Sequence, residues 1–136
     1  DPVNAERVLK EALAIAPNKQ LIAFDLIRSY LMQKKFDEAY ALGKKTYDLS
    51  ITCNNALKWM LVSAAYAGKY KEAKAYAYAK DSTQSFAFDQ DVLGGVVTSG
   101  QIPVAIEMLQ EAKKESPQAA AQIDGYIQQL LAMPRK

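Results

Sequence analysis

Four small residues, Ala5, Ala39, Ala73 and Ala105, recur at spacings of 34, 34 and 32 residues, each inside a similar phrase. The phrases are Asn4-Ala5-Glu6-Arg7, Phe36-Asp37-Glu38-Ala39, Tyr70-Lys71-Glu72-Ala73 and Ile102-Pro103-Val104-Ala105. Pro17 and Pro117 each follow their alanine by 12 residues, so the register holds from one end of the chain to the other. A fixed period of this length means a stack of supersecondary units, each burying its apolar face on a neighbour.

Within each period the residues spell two helices. Apolar side chains return at helical spacing as Ala23, Leu26, Ile27, Tyr30, then Leu57, Met60, Leu61, Ala64, then Val92, Leu93, Val96. A last set is Ile123, Tyr126, Ile127 and Leu130. Gly68 and Gly100 close first helices, where a left-handed residue costs least as glycine. Phe36, Tyr70 and Ile102 open second helices, and the alanine three residues on marks the helix crossing, where a large side chain would hold the pair apart. Pro17 and Pro117 stop second helices because proline cannot continue them. The spacing predicts helices over 3–15, 19–33, 36–49, 54–67, 70–80, 88–98, 102–115 and 119–132.

The pattern resembles the tetratricopeptide repeat family across nearly the whole chain. The resemblance implies an all-α, right-handed solenoid of about eight helices in antiparallel pairs. Its parts would be 1–17, the second helix of a truncated repeat; 18–52, 53–85 and 86–117, three repeats; and 118–136, a capping helix with the tail Pro134-Arg135-Lys136. Ile51 stands where the family has proline. The third pair is two residues short near Asp81-Ser82-Thr83-Gln84-Ser85, which reads as a loose polar loop.

The array ends unequally. Gln122, Asp124, Gln128 and Gln129 give the last helix a polar outer face, as a terminal cap requires. In the first helix Val8, Leu9, Ala12 and Ile15 face an absent partner, so either more of the chain precedes Asp1 or self-association covers that face. A natural C-terminus and an upstream continuation are the expectation. A narrower resemblance lies in Ala14-Ile15-Ala16-Pro17-Asn18-Lys19-Gln20, Phe24-Asp25-Leu26 and Tyr30-Leu31. It is similar to the C-terminal repeats of bacterial O-antigen ligase or polymerase-type membrane proteins. That would make the domain a non-catalytic appendage outside the bilayer, localisation being otherwise undetermined.

Catalysis has little to work with. Histidine is absent and Cys53 is the single cysteine, which excludes Ser-His-Asp and Cys-His chemistry, His-ligated zinc and an internal disulfide. Cys53 reads as a small apolar filler at a helix start. Asp89 and Asp91, two apart on a helix, diverge; Gly68-Lys69 lacks the rest of a phosphate loop. No catalytic, metal or cofactor residue is expected. A net charge of +2 with scattered Lys44-Lys45 and Lys113-Lys114 excludes a nucleic-acid surface. The apolar runs are too short for membrane insertion. Eight tyrosines, three of them Tyr70, Tyr76 and Tyr78, fit packing between helices.

Function therefore rests on binding. In the family the first helices line a concave groove, and the resemblance places there Phe24, Arg28 and Leu31, then Lys58, Val62 and Tyr66, then Gln90, Gly94 and Val97. Apolar and aromatic side chains with two cations suit a protein or peptide carrying an apolar anchor and an acidic group, Arg28 acting as the carboxylate fork. Lys58 matches one place of the family's chaperone clamp, but Trp59 and Val62 replace its asparagines. A plain spacer or oligomerisation role is the alternative.

Overall fold

The structure is a computed structural model that describes residues 1–51 and 53–133; the tail Pro134-Arg135-Lys136 lies outside the described residues. Among them the chain is all-helical. The helices are α1 Pro2–Ile15, α2 Gln20–Met32, α3 Phe36–Leu49, α4 Asn54–Tyr66, α5 Tyr70–Lys80, α6 Gln90–Thr98, α7 Ile102–Glu115 and α8 Ala120–Leu131. A single 3-10 turn, Pro117–Ala119, leads into α8. Helix α6 starts two residues later than its periodicity predicts. The reason is local: the Asp89 carboxylate accepts from the Asp91 and Val92 amides at 2.8 and 3.3 Å, and so caps the helix.

The period survives as geometry. Ala39, Ala73 and Ala105 are fully buried, each where its helix crosses the one before it. Ala5, in the same register on α1, is exposed. First helices end alike: Gly68 and Gly100 take φ of +75° and +82°, and Lys34 at the equivalent place takes +61°. Each is followed by an amide reaching back over the last turn, Lys35 to Tyr30, Lys69 to Ala64 and Gln101 to Val96. The left-handed C-terminus is thus shared by three repeats, two of them with the residue that tolerates it.

Packing is sequential, α1 on α2, α2 on α3, α3 on α4 and α7 on α8, with first helices also meeting directly as α2 on α4 and α4 on α6. One core runs from Tyr40 and Tyr47 through α4 to Ile127 and Leu130 of α8. A second, around Phe24, Ile27 and Tyr30, takes in Leu9 and Leu13 of α1 and Trp59 of α4. The expectation that Leu9 faces an absent helix is therefore corrected, since it packs on α2. Val8 and Ile15 are left open, at 48% and 87% exposure. Cys53, half-buried ahead of α4, joins the same cluster.

Within residues 81–85, expected as a loose polar loop, Gln84 is anchored. The Gln84 amide donates to the Tyr47 hydroxyl at 2.9 Å and to the Ile51 carbonyl at 3.1 Å. Phe86 packs against the main core with the Lys74 ammonium 5.3 Å from its ring centre. This segment, rather than a helix-on-helix seam, fills the space between α5 and α6.

Candidate functional site

Two of the nine residues assigned to a concave groove are buried, and the other seven keep some exposure. Phe24 is buried at 7%, its ring stacked on Trp59 with centroids 6.4 Å apart, and Val62 is buried at 3%. These two assignments are corrected by the close approach of the first helices. A side chain at Gly95 would stand 2.8 Å from the Ala65 Cβ and 2.9 Å from Tyr66 Cδ2, so α6 lies directly on α4. A Cβ at Gly94 would stand 3.8 Å from the Tyr66 hydroxyl. Tyr66 in turn stacks on Phe36 at 5.5 Å. Leu31 and Val97 are half-buried against the core, and Gln90 is exposed.

Arg28 and Lys58, expected as two cations of one surface, open on separate recesses with no lining residue in common. Arg28 borders a recess of about 590 Å³ between α1 and α2, where it lies 3.7 Å from Asp25. Lys58 stands at the mouth of a cleft of about 380 Å³ built from the start of α4, residues 85–89, the start of α6 and Met108 of α7. The two-residue shortening of the third pair makes this cleft: α5 gives α6 no full-length seat, and the loop that substitutes for it leaves space beside α4.

The cleft has an apolar floor of Leu57, Leu61, Phe86, Val92 and Met108, with Tyr70 at its side. Burial pushes the Tyr70 phenol up to about 12, so it stays a neutral donor at any ordinary pH. Its rim carries Asn54, Asn55, Ser85 and Asp89. The Lys58 ammonium sits 3.2 Å from Asp91 and 3.7 Å from Asp89, and the bond to Asp91, with the field of Asp89, raises its pKa. Among the described residues, Ser85 to Phe88 make no backbone–backbone hydrogen bond.

Of the residues assigned to the groove, only Lys58 lines this cleft; Asp89, Phe86 and Tyr70, which line it too, are not among them. The available signal was Phe86 and Phe88, two rings in an otherwise polar stretch. Among the described residues no cluster of acidic or cysteine side chains could hold a metal, and no helix is long and apolar enough to cross a membrane.

A tetratricopeptide repeat family model matches residues 1–43, that is α1, α2 and the first half of α3. No curated protein and no solved structure matches the chain. The match covers 43 of the 136 residues, and the all-helical fold of the described residues is consistent with a helical repeat like that family's. The likeness to O-antigen ligases gains no support from these comparisons.

Proposed function

We propose that the domain is a protein-binding module whose contact site is the cleft beside α4, and that it holds an extended segment of a partner through one apolar side chain. The observation that carries this reading is the cleft itself: an apolar floor, a polar rim, and an extended edge along 85–88 that makes no backbone–backbone hydrogen bond among the described residues. An extended peptide laid along that edge gains main-chain hydrogen bonds, while its anchor side chain enters the floor.

The partner's charge follows from the ion pairs. An acidic group at Lys58 would have to displace Asp89 and Asp91, both already within 4 Å of the ammonium. With two carboxylates to one cation, the mouth favours a neutral or basic group next to the apolar anchor. The acidic partner expected from the sequence suits Lys58 only where those two aspartates turn away.

Panning a random peptide display library on the chain tests the proposal. Enriched peptides should share an apolar residue with a neighbouring Lys, Arg or amide side chain. Their affinity should fall by about tenfold or more when Asn55→Trp closes the rim, with the circular dichroism spectrum unchanged. Enriched peptides that bind the Asn55→Trp variant undiminished, or no enrichment at all, would refute the cleft as the binding site.

A further inference from the structure

Helices α1 and α3 both pack on α2, and α3 and α5 both pack on α4. Between each such pair of second helices runs a groove with a first helix as its floor. The groove between α3 and α5 is filled. Tyr47 and Tyr76 bring their rings together in it, centroids 6.5 Å apart. The Tyr76 hydroxyl donates to Asp48 at 2.7 Å, and Lys80 lies 3.6 Å from the same carboxylate. The Lys44 ammonium stands 4.8 Å from the centre of the Tyr76 ring. Further along, Phe86 comes from the 81–89 connection to lie beside Tyr70 of α5 and Met108 of α7. Its ring, too, has a lysine near it, Lys74 at 5.3 Å.

The groove between α1 and α3 is built on the same register and stays open. Tyr47, Asp48, Tyr76 and Lys80 have Leu13, Ala14, Leu42 and Thr46 as their counterparts 34 residues earlier. On the floor, Ala23 stands where the next repeat has Leu57. Each replacement is shorter or lacks the polar end that ties the other groove shut. The result is an apolar groove of about 480 Å³, with Leu49 at its edge 52% exposed. It shares no lining residue with the cleft beside α4, so the case is independent of peptide binding there.

Two further observations say what fits. Nearly all of the lining belongs to helices α1, α2 and α3, whose backbone groups bond within their own helices. An extended chain would gain no main-chain bond there, whereas a helix arrives with its own backbone satisfied. The rim supplies charge. Glu38 and Lys45 are exposed on α3, seven residues and so about 10 Å apart along the axis. Neither has an ion-pair partner among the described residues. Lys10 on the opposite rim is already held by Glu6 at 2.9 Å.

We infer that an amphipathic helix of another protein docks between α1 and α3 and inserts one aromatic ring between Leu13 and Leu42. A basic side chain of that helix meets Glu38, and an acidic one, two turns away, meets Lys45. The incoming ring does for this groove what Tyr76 does for the next.

Panning a display library built on a single helix with one randomised face reads this directly. Enriched helices should share an aromatic residue flanked by a basic and an acidic residue two turns apart. Replacing that aromatic residue by alanine should weaken binding by about tenfold or more. Leu42→Tyr combined with Ala14→Asp copies the filled groove and should weaken binding as much, with unchanged circular dichroism. Ala41→Trp, at an exposed lining position, serves in its place should that pair lose helicity. Glu38→Lys combined with Lys45→Glu should prefer helices with the two charges exchanged. Asn55→Trp should leave binding unchanged; helices that it weakens belong to the cleft and count against the groove. No enrichment, full binding to the filled variants, or indifference to the charge exchange would overturn the inference. So would self-association of the chain that the filled variants abolish, since the occupant would then be a second copy.

Discussion

The α3–α4 joint and the α5–α6 joint occupy the same place in successive repeats and are built in opposite ways. In the first, the second helix of one pair lies along the first helix of the next, and Gly43 makes room: a Cβ there would stand 3.0 Å from the Met60 Cα. In the second, Ala77 occupies the equivalent place, α5 has 11 residues against 14 in α3, and α6 turns away to lean on α4. The close approach has moved from Gly43 to Gly95. The deficit falls on the helices, α5 being shorter than α3 and α6 having 9 residues against 13 in α4. The connection between them is longer, 81–89 against 50–53, and it became a wall of the cleft. The interior of this solenoid is regular where the spacing is 34, and the candidate binding site lies where it is not.

Gly95→Val is the most damaging single change this comparison points to. Its Cβ would fall 2.8 to 3.0 Å from Ala65 and Tyr66, including the Tyr66 backbone nitrogen, so the helix must move as a body. Stability should drop by about 3 kcal/mol, measured by urea denaturation, and the cleft should change shape with it. A loss below about 1 kcal/mol would show that α6 is free to shift and that the second joint is loosely held.

Paired alanine substitutions come next. Ala73→Leu overpacks a fully buried crossing and should cost about 2 kcal/mol. Ala5→Leu, at the same register but exposed, should stay within about 0.5 kcal/mol in dilute solution. Equal effects would mean that the two positions are not equivalent and that the repeat alignment is misplaced.

Phe86→Ala probes the loop that replaces a helical seam. The ring is only partly buried, so the loss should be about 1.5 kcal/mol, below the range for a fully enclosed phenylalanine. The more telling readout is hydrogen exchange. Amides around Ile51 and Tyr47, held through Gln84, should exchange faster in the variant, while those of α4 facing Gly43 should not. Uniform acceleration would mean that the two joints unfold as one unit.

Most helix limits were legible because alanine, proline and glycine recur in phase, and those residues act locally. The groove was not, because exposure depends on how close two first helices come, which no single helix encodes. Phe24 and Val62 sit on stripes that would be open at a wider spacing; Trp59 covers one, and neighbouring first helices close over the other. Gly94-Gly95 announced a close contact in the sequence but not which helix it would meet. The ion pairs of Lys58 with Asp89 and Asp91 were hidden for a related reason. Asp89 reads as an interior helix residue by periodicity, and only as the cap of a shortened α6 does it turn toward α4.

The smallest expected effect is a gain. Lys34 holds φ of +61° where Gly68 and Gly100 hold +75° and +82°, and the same backbone bond back to the previous turn follows all three. A side chain with a Cβ pays about 1 kcal/mol for that conformation. Glycine would lose part of the advantage through the greater freedom of its unfolded chain. Lys34→Gly should therefore stabilise the domain by about 0.5 kcal/mol, seen as a small rise in the urea midpoint with unchanged slope. The reverse changes should differ from each other as well. Gly100→Lys meets open space around its Cβ and carries only the backbone penalty, whereas at Gly68 the Gln101 amide lies 3.6 Å away. That amide donates to the Gly68 carbonyl at 2.6 Å, tying the second repeat to the start of α7 across the irregular joint. Gly68→Lys should thus cost more than Gly100→Lys. Equal costs would show that this tie contributes nothing to holding the joint.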